Sequence, residues 1–411
     1  MMKNKLSFFL KPDLLLSVVL CLYAASLYFA NTVITYATVL LVASGLAFII
    51  RSVRSGRQKL SPPHPAVYCW LAVYLVRVAW LPLSSDLQNG LRWLDTCLPF
   101  ILFPLLFQYL PLSERVLKTV LAFFVHFTLL FCAVSLLTVA YLSITVPIDI
   151  KEWLLHPKSY LFAYVWTNYD HPSFLCVVYL LALPAGLYLK RKYRAVSTAE
   201  IIALIVVETA LLAFTGARVG FIILPLLLLV MFLYRISVKR KIIAAGSLAV
   251  LAGAIVIGLT CLENQFTDRF EDPARMQLWK TAMASIREKP LLGTGTGGMK
   301  AVMTSPELAA ELGYPEAMPF SYPHNQYLGE VMHFGCIGAA ALFGTLLYLL
   351  ILSLRRKDFL LQSLLLILFV FMFTEMPFDS HKAINLSLFF ISLCIVTLPL
   401  RTDTAPKNAT P

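Results

Sequence analysis

The sequence predicts an all-α polytopic integral membrane protein. Three observations carry that reading. Of 411 residues, 59% are hydrophobic and only 14% are charged, whereas soluble domains carry about 25% charged residues. The apolar residues gather in continuous runs, and a helical span needs about 20 residues. Those runs do not alternate apolar and polar positions, as the strands of a transmembrane barrel would.

Twelve runs qualify, at 13–30, 32–50, 66–83, 93–110, 117–142, 173–189, 199–214, 218–234, 242–262, 326–354, 359–376 and 383–400. The expected architecture is therefore about 12 transmembrane helices. Residues 1–262 hold helices 1–9, residues 263–325 form a large outer loop with an amphipathic helix, and residues 326–411 hold helices 10–12 and a short tail. Charge favours twelve over eleven or thirteen. Lys and Arg cluster near the N-terminus (Lys3, Lys5, Lys11) and again at 51–59, 115–118, 190–194, 235–241, 355–357 and 401–407. Basic residues gather on the cytoplasmic side, and an even count puts every cluster and both termini there. The first run lacks a small-residue cleavage site and reads as a retained span.

The net charge of +12 is accounted for by this topology and by anionic membrane lipid. No nucleic-acid partner is expected. The eight cysteines are scattered and form no C-x-x-C pair, so neither a zinc site nor a redox motif is indicated. Asn408-Ala409-Thr410 is a formal sequon, but this topology places it in the cytoplasm, where it has no role.

The remaining polar residues concentrate outside. One outer segment, at 143–172, contains Trp153, His156, Trp166, Asn168, Asp170 and His171. In the other, ARMQLWKTAMASIREKP places Met276, Trp279, Met283 and Ile286 at helical spacing. That face suits a helix lying along the membrane surface or capping a cavity. The following GTGTGG (Gly293–Gly298) lacks the Gly-Lys-Ser/Thr ending of a phosphate loop and reads as a flexible turn.

Four arginines stand out. Arg218 sits in a tight hairpin between two apolar runs. An arginine at the membrane has either a task or a snorkelling side chain, and position alone leaves both open. Arg269 lies among Asp268, Glu271 and Asp272 and fits a salt-bridged loop. Arg275 opens the amphipathic helix and can face a cavity at headgroup level. Arg92 begins the fourth run on the outer side. Arginine binds phosphate bidentately.

SYPHNQYLGEVMHFGCIG (Ser321–Gly338) closes the outer loop and enters the tenth run. Tyr322 and Pro323 fix the approach of His324, and Asn325 can cap the helix. Gly329, Gly335 and Gly338 permit close helix packing. Histidine titrates near neutral pH and can take a proton from a hydroxyl within hydrogen-bond reach. Glu330, one turn on, can orient an imidazole or serve as a buried, hydrogen-bonded group. NYDHPSF offers Asn168 and His171 either as substrate contacts or as a helix start with Pro172 in its first turn.

These features resemble the O-antigen ligase and O-antigen polymerase superfamily of bacterial envelope proteins. Its ligases carry His-[Asn/Ser/Gln]-x9-Gly-x-x-[Gly/Thr/Tyr], and His324, Asn325, Gly335 and Gly338 fit that pattern without a gap. The run from Arg275 through Trp279, Ile286 and Pro290 to Gly295 is similar to the family's outer loop, and TGAR points to Arg218. The specific motifs are confined to residues 210–340. The resemblance implies a GT-C-like fold in the bacterial inner membrane with its active site facing the periplasm. The donor would be a glycan on undecaprenyl diphosphate and the acceptor a sugar hydroxyl of lipid A–core. His324 would be the base, and Arg218 and Arg275 would hold the diphosphate. Asn325, Arg269, Arg92, Glu330, His171 and Asn168 would line the substrates. The family reaction is metal-independent and inverting, so no cofactor and no metal are expected.

Other readings stay open. A polymerase and a protein O-oligosaccharyltransferase use the same donor class, and the absence of a carboxy-terminal soluble domain weighs against the second. A twelve-span transporter shares the layout. Transporters tend to show internal repeats and midplane charges; here no repeat is evident, and Arg77 and Glu208 are the main charges within the runs.

Overall fold

A computed structural model describes residues 12–56, 61–145, 172–215, 217, 219–233, 273–313 and 322–397. Among these residues the secondary structure is helical, with no strand. The run at 242–262, the segment 146–171, and with it Asn168 and His171, lie outside the described residues, as do Arg218 and Arg269.

Helices occupy the places of the other eleven runs. Six are long and apolar enough to cross a membrane: Asn31–Arg54, Pro65–Leu83, Leu87–Tyr109, Glu114–Tyr141, Ser173–Tyr193 and Gln326–Arg355. Asp13–Ser26, Gly220–Phe232, Phe359–Phe371 and His381–Val396 are apolar but shorter. Tyr36, Leu130 and Leu137 are exposed. Large apolar side chains on this scale are poorly placed in water and well placed in lipid, where only internally hydrogen-bonded helices or closed barrels survive. Among the described residues the architecture is that of an all-α membrane protein.

One rim of the bundle gathers basic residues. Lys192 pairs with Glu114 at 2.9 Å, Tyr193 donates to the same carboxylate, and Arg191 lies over Phe359. Buried apolar side chains fill the middle. Tyr23 on the first helix donates to Asn385 on the last at 2.9 Å.

The opposite rim is built around the Gln326–Arg355 helix, which packs along Pro65–Ala79. It is kinked at Gly335, whose φ is +60° and ψ −175°. A β-carbon at Gly335 would lie 2.1 Å from the backbone of Leu291. Only glycine admits both the left-handed φ and that approach. One turn later Gly338 faces Val76 and Trp80.

The GTGTGG segment corrects the expectation of a flexible turn. Residues 293–299 are buried, and the segment is bonded on several sides. Thr294 N–H donates to Met332 O and Gly295 N–H to His333 O, both at 2.9 Å. Thr296 reaches Arg77 O, Trp80 Nε1 donates to Leu292 O at 2.8 Å, and Asn89 donates to Gly297 O at 2.8 Å. The kink at Gly335 frees carbonyls of the preceding turn, and these glycine-run amides satisfy them. The run is a wedge that locks three helices together.

The 273–288 helix also differs from its predicted face. Pro273–Glu288 forms as a helix, but Met276 and Met283 are exposed while Leu278 and Ala282 are buried. Leu278 and Ala282 meet Met299, Met303, Met332 and Met376 in a small separate core. Periodicity predicted the helix; the neighbours selected which of two adjoining stripes is covered. Trp279 and Ile286 pack partly against that core.

Candidate active site

His324 stands at the entry to the Gln326–Arg355 helix, and its local chain explains its orientation. Trp279 Nε1 donates to Pro323 O at 3.0 Å, tying the approach to the Pro273–Glu288 helix. Asn325 caps the helix, its side chain accepting from Leu328 N–H at 3.1 Å. Between these two fixed residues His324 adopts φ +50°. That left-handed conformation is uncommon outside glycine, though histidine visits it more than most residues, and it costs about 1 kcal/mol or more. The imidazole lies against the Tyr322 ring, 4.5 Å between centroids.

The imidazole meets a carboxylate. His324 Nδ1 lies 3.0 Å from Glu375 Oε2, with the histidine side chain 14% exposed and the glutamate 2% exposed. Glu375 belongs to a turn between the Phe359–Phe371 and His381–Val396 helices. Arg275, from the Pro273–Glu288 helix, approaches the other oxygen of Glu375 at 3.8 Å, too long for a direct hydrogen bond. Its Nη1 donates to Thr374 O at 3.3 Å. The Arg275 side chain is 30% exposed. Three chain segments thus bring an imidazole, its carboxylate partner and a guanidinium to one edge of the rim.

Behind this edge lies a buried polar group. Arg77 Nη2 donates to Glu330 Oε2 at 3.2 Å, both side chains fully buried. The guanidinium sits 4.7 Å from the Phe100 ring centroid and 5.0 Å from that of Phe334, an enclosure that favours a cation electrostatically. Gln326 donates to Glu330 at 3.0 Å and to Asp379 at 3.2 Å. Burial pushes the Asp379 carboxyl up to about 8, and the Glu330 carboxylate adds to the rise against a smaller opposing pull from Arg77. Among the described residues no group of three or more His, Cys, Asp or Glu is placed to hold a metal ion.

Of the predicted site residues, the structure brings His324 and Arg275 together through Glu375. Asn325 is buried and serves as the cap. Glu330 does not orient an imidazole; it turns inward to Arg77, and Glu375 takes that part for His324. Arg92 is exposed on the Leu87–Thr96 helix, one turn beyond Asn89. Sequence reading leaves the pairing of Glu375 and Asp379 with the basic residues open and passes over Gln326. The signal available was EMPFDS, a polar break between two apolar runs.

Residues 161–343 match the family model described as O-Antigen ligase. This match, over somewhat less than half of the chain, supports membership of the O-antigen ligase family. The matched segment contains Arg218, Arg275, His324 and both glycines of the histidine motif, while Glu375 and Arg77 lie outside it. Members of the family are glycosyltransferase-like enzymes of lipopolysaccharide and glycan biosynthesis. An uncharacterised protein of Haemophilus influenzae is 24% identical in an alignment 241 residues long that covers 51% of this chain. The chain spans 58% of that relative's length.

Proposed function

We propose that this protein is an O-antigen ligase of the bacterial inner membrane, transferring a polysaccharide from undecaprenyl diphosphate to a sugar hydroxyl of lipid A–core on the periplasmic face. The observation that carries the mechanism is the His324–Glu375 pair at 3.0 Å beside Arg275. A carboxylate accepts from Nδ1–H, so the lone pair of His324 sits on Nε2, the nitrogen that would take the proton of the acceptor hydroxyl. The deprotonated oxygen attacks the anomeric carbon as the bond to the diphosphate breaks, and the diphosphate leaves with both electrons of that bond. Attack opposite the leaving group inverts the anomeric centre.

The departing diphosphate concentrates negative charge, and fixed cations at that position lower the barrier. In this proposal Arg275, beside the His324–Glu375 pair, takes that role. Arg218 and Arg269 are proposed to join it on the family motif alone. No nucleotide is required, since the energy of the donor bond drives transfer. The proposal includes twelve spans, with residues 1–262 and 326–411 in the membrane, 263–325 outside, and both termini cytoplasmic. The shared rim of Lys192, Arg191 and the start of the Glu114–Thr145 helix supports that orientation.

The histidine pattern favours a ligase over a polymerase. A gel profile of lipopolysaccharide from cells carrying His324→Ala separates the two. Undecaprenyl-linked long glycan with bare core indicates a ligase. Core bearing a single repeat indicates a polymerase, and an unchanged profile removes the histidine from the reaction.

A further inference from the structure

Gln326 is fully buried two residues beyond His324, and every hydrogen bond it makes from its side chain leads away from the imidazole. Oε1 accepts from Phe378 N–H at 2.9 Å. Nε2 donates to Glu330 and to Asp379. The Gln326 backbone N–H donates to Met372 O at 2.8 Å and to Glu375 O at 3.2 Å. Met372 precedes Glu375 and Phe378 follows it, so one residue grips the 372–379 turn from both sides. We propose that Gln326 is a positioning residue, clipping this turn to the start of the Gln326–Arg355 helix and so aiming Glu375 at Nδ1 of His324.

The chemistry requires an amide at this position. One oxygen and two N–H groups satisfy one donor and two acceptors; Phe378 and Glu330 are buried and Asp379 half-buried. A glutamate would lose both donors and set a third carboxyl beside Glu330 and Asp379. A methionine of similar length would leave Phe378 N–H, Glu330 and Asp379 without that partner, each costly in a buried site. The clip is anchored rather than floating, because Glu330 is fixed by the enclosed Arg77. The turn also docks through an apolar contact. A β-carbon on Gly329 would meet Met376 Cε at 2.3 Å, so glycine lets the turn's own methionine lie flat on the helix.

This inference rests on the reading of His324 as the base, and its test reads the imidazole directly rather than glycan transfer. The neutral tautomer of His324 is measured by 15N NMR of the purified full-length protein labelled at its seven histidines, with His324→Ala used for assignment. Wild type is expected to show Nδ1–H. Glu375→Ala and Gln326→Met are each expected to lose that signal in favour of Nε2–H. A merely structural glutamine would leave the tautomer unmoved. Should Gln326→Met not fold, Asp379→Leu cuts the same clip from the turn's side and is expected to lose Nδ1–H as well. Retention of the wild-type Nδ1–H signal in either folded variant, while Glu375→Ala loses it, overturns the clip and leaves the base reading intact. Full transfer by His324→Ala would do the reverse.

Discussion

Glu375 holds a carboxylate oxygen 3.0 Å from Nδ1 of His324 across 51 residues of sequence. The pair joins the last residue region of the family-matched segment to a turn that lies beyond it. A histidine flanked by a carboxylate is held in one tautomer and its imidazolium is stabilised as it forms.

Glu375→Ala is expected to lower transfer by about 10²-fold, the scale of loss when a reacting group is misaligned. Donor binding should survive. Steady-state transfer against donor concentration checks this: kcat falls and the donor KM changes little.

Arg275→Ala is expected to cost about 10²- to 10³-fold in transfer, as for loss of one preorganised charge donor. Arg275→Lys keeps the charge but not the fork, and should recover only part of the rate. The same assay at rising ionic strength should show the lysine variant losing activity sooner.

The Arg77–Glu330 pair is fully buried, and removing one partner strands the other. Arg77→Met is expected to destabilise the protein by about 3–5 kcal/mol. Arg77→Met combined with Glu330→Gln should cost less than Arg77→Met alone. Thermal unfolding in detergent of the two variants tests the order.

Gly335→Ala should be among the most damaging single-methyl changes. It combines φ +60° with a 2.1 Å approach to Leu291, and a loss of about 3 kcal/mol or more is expected. Size-exclusion chromatography of a fluorescent fusion reports the folded fraction. Gly344→Ala, on the same helix with nothing within 4 Å, is the control and should fold normally.

Stability should fall as pH rises through the range set by Asp379. Its folded pKa is raised from 3.8 to about 8, chiefly by burial. Between those values the unfolded chain has released this proton and the folded chain retains it. The native state therefore binds more protons, so unfolding free energy declines with rising pH. Above about pH 8 this contribution levels off. Asp379→Asn should flatten the slope of melting temperature between roughly pH 5 and 8.

The helices were legible because a span is a long, uninterrupted signal; Asn31–Arg54 and Gln326–Arg355 coincide closely with apolar runs. His324 and Arg275 were legible because their motifs are local. The physical sense of the histidine motif emerges only in three dimensions. Asn325 caps, Gly335 kinks, and Gly338 admits Val76 and Trp80. Glu375 was not legible, since no local pattern couples two residues 51 apart. The glycine run was misread because its rigidity comes from partners at Trp80, Asn89 and Met332. Nor can periodicity choose between the Met276 and Leu278 stripes of one helix when the choice is made by methionines elsewhere in the chain.

The most direct measurement is transfer by the purified protein, reconstituted with an undecaprenyl-diphosphate-linked glycan and lipid A–core, comparing wild type with His324→Ala. The account predicts transfer by the wild type and a loss of about 10²- to 10⁴-fold in the variant, the range for removal of a general base, with both proteins equally folded. A variant that transfers at the wild-type rate would contradict the assignment of His324 as the base.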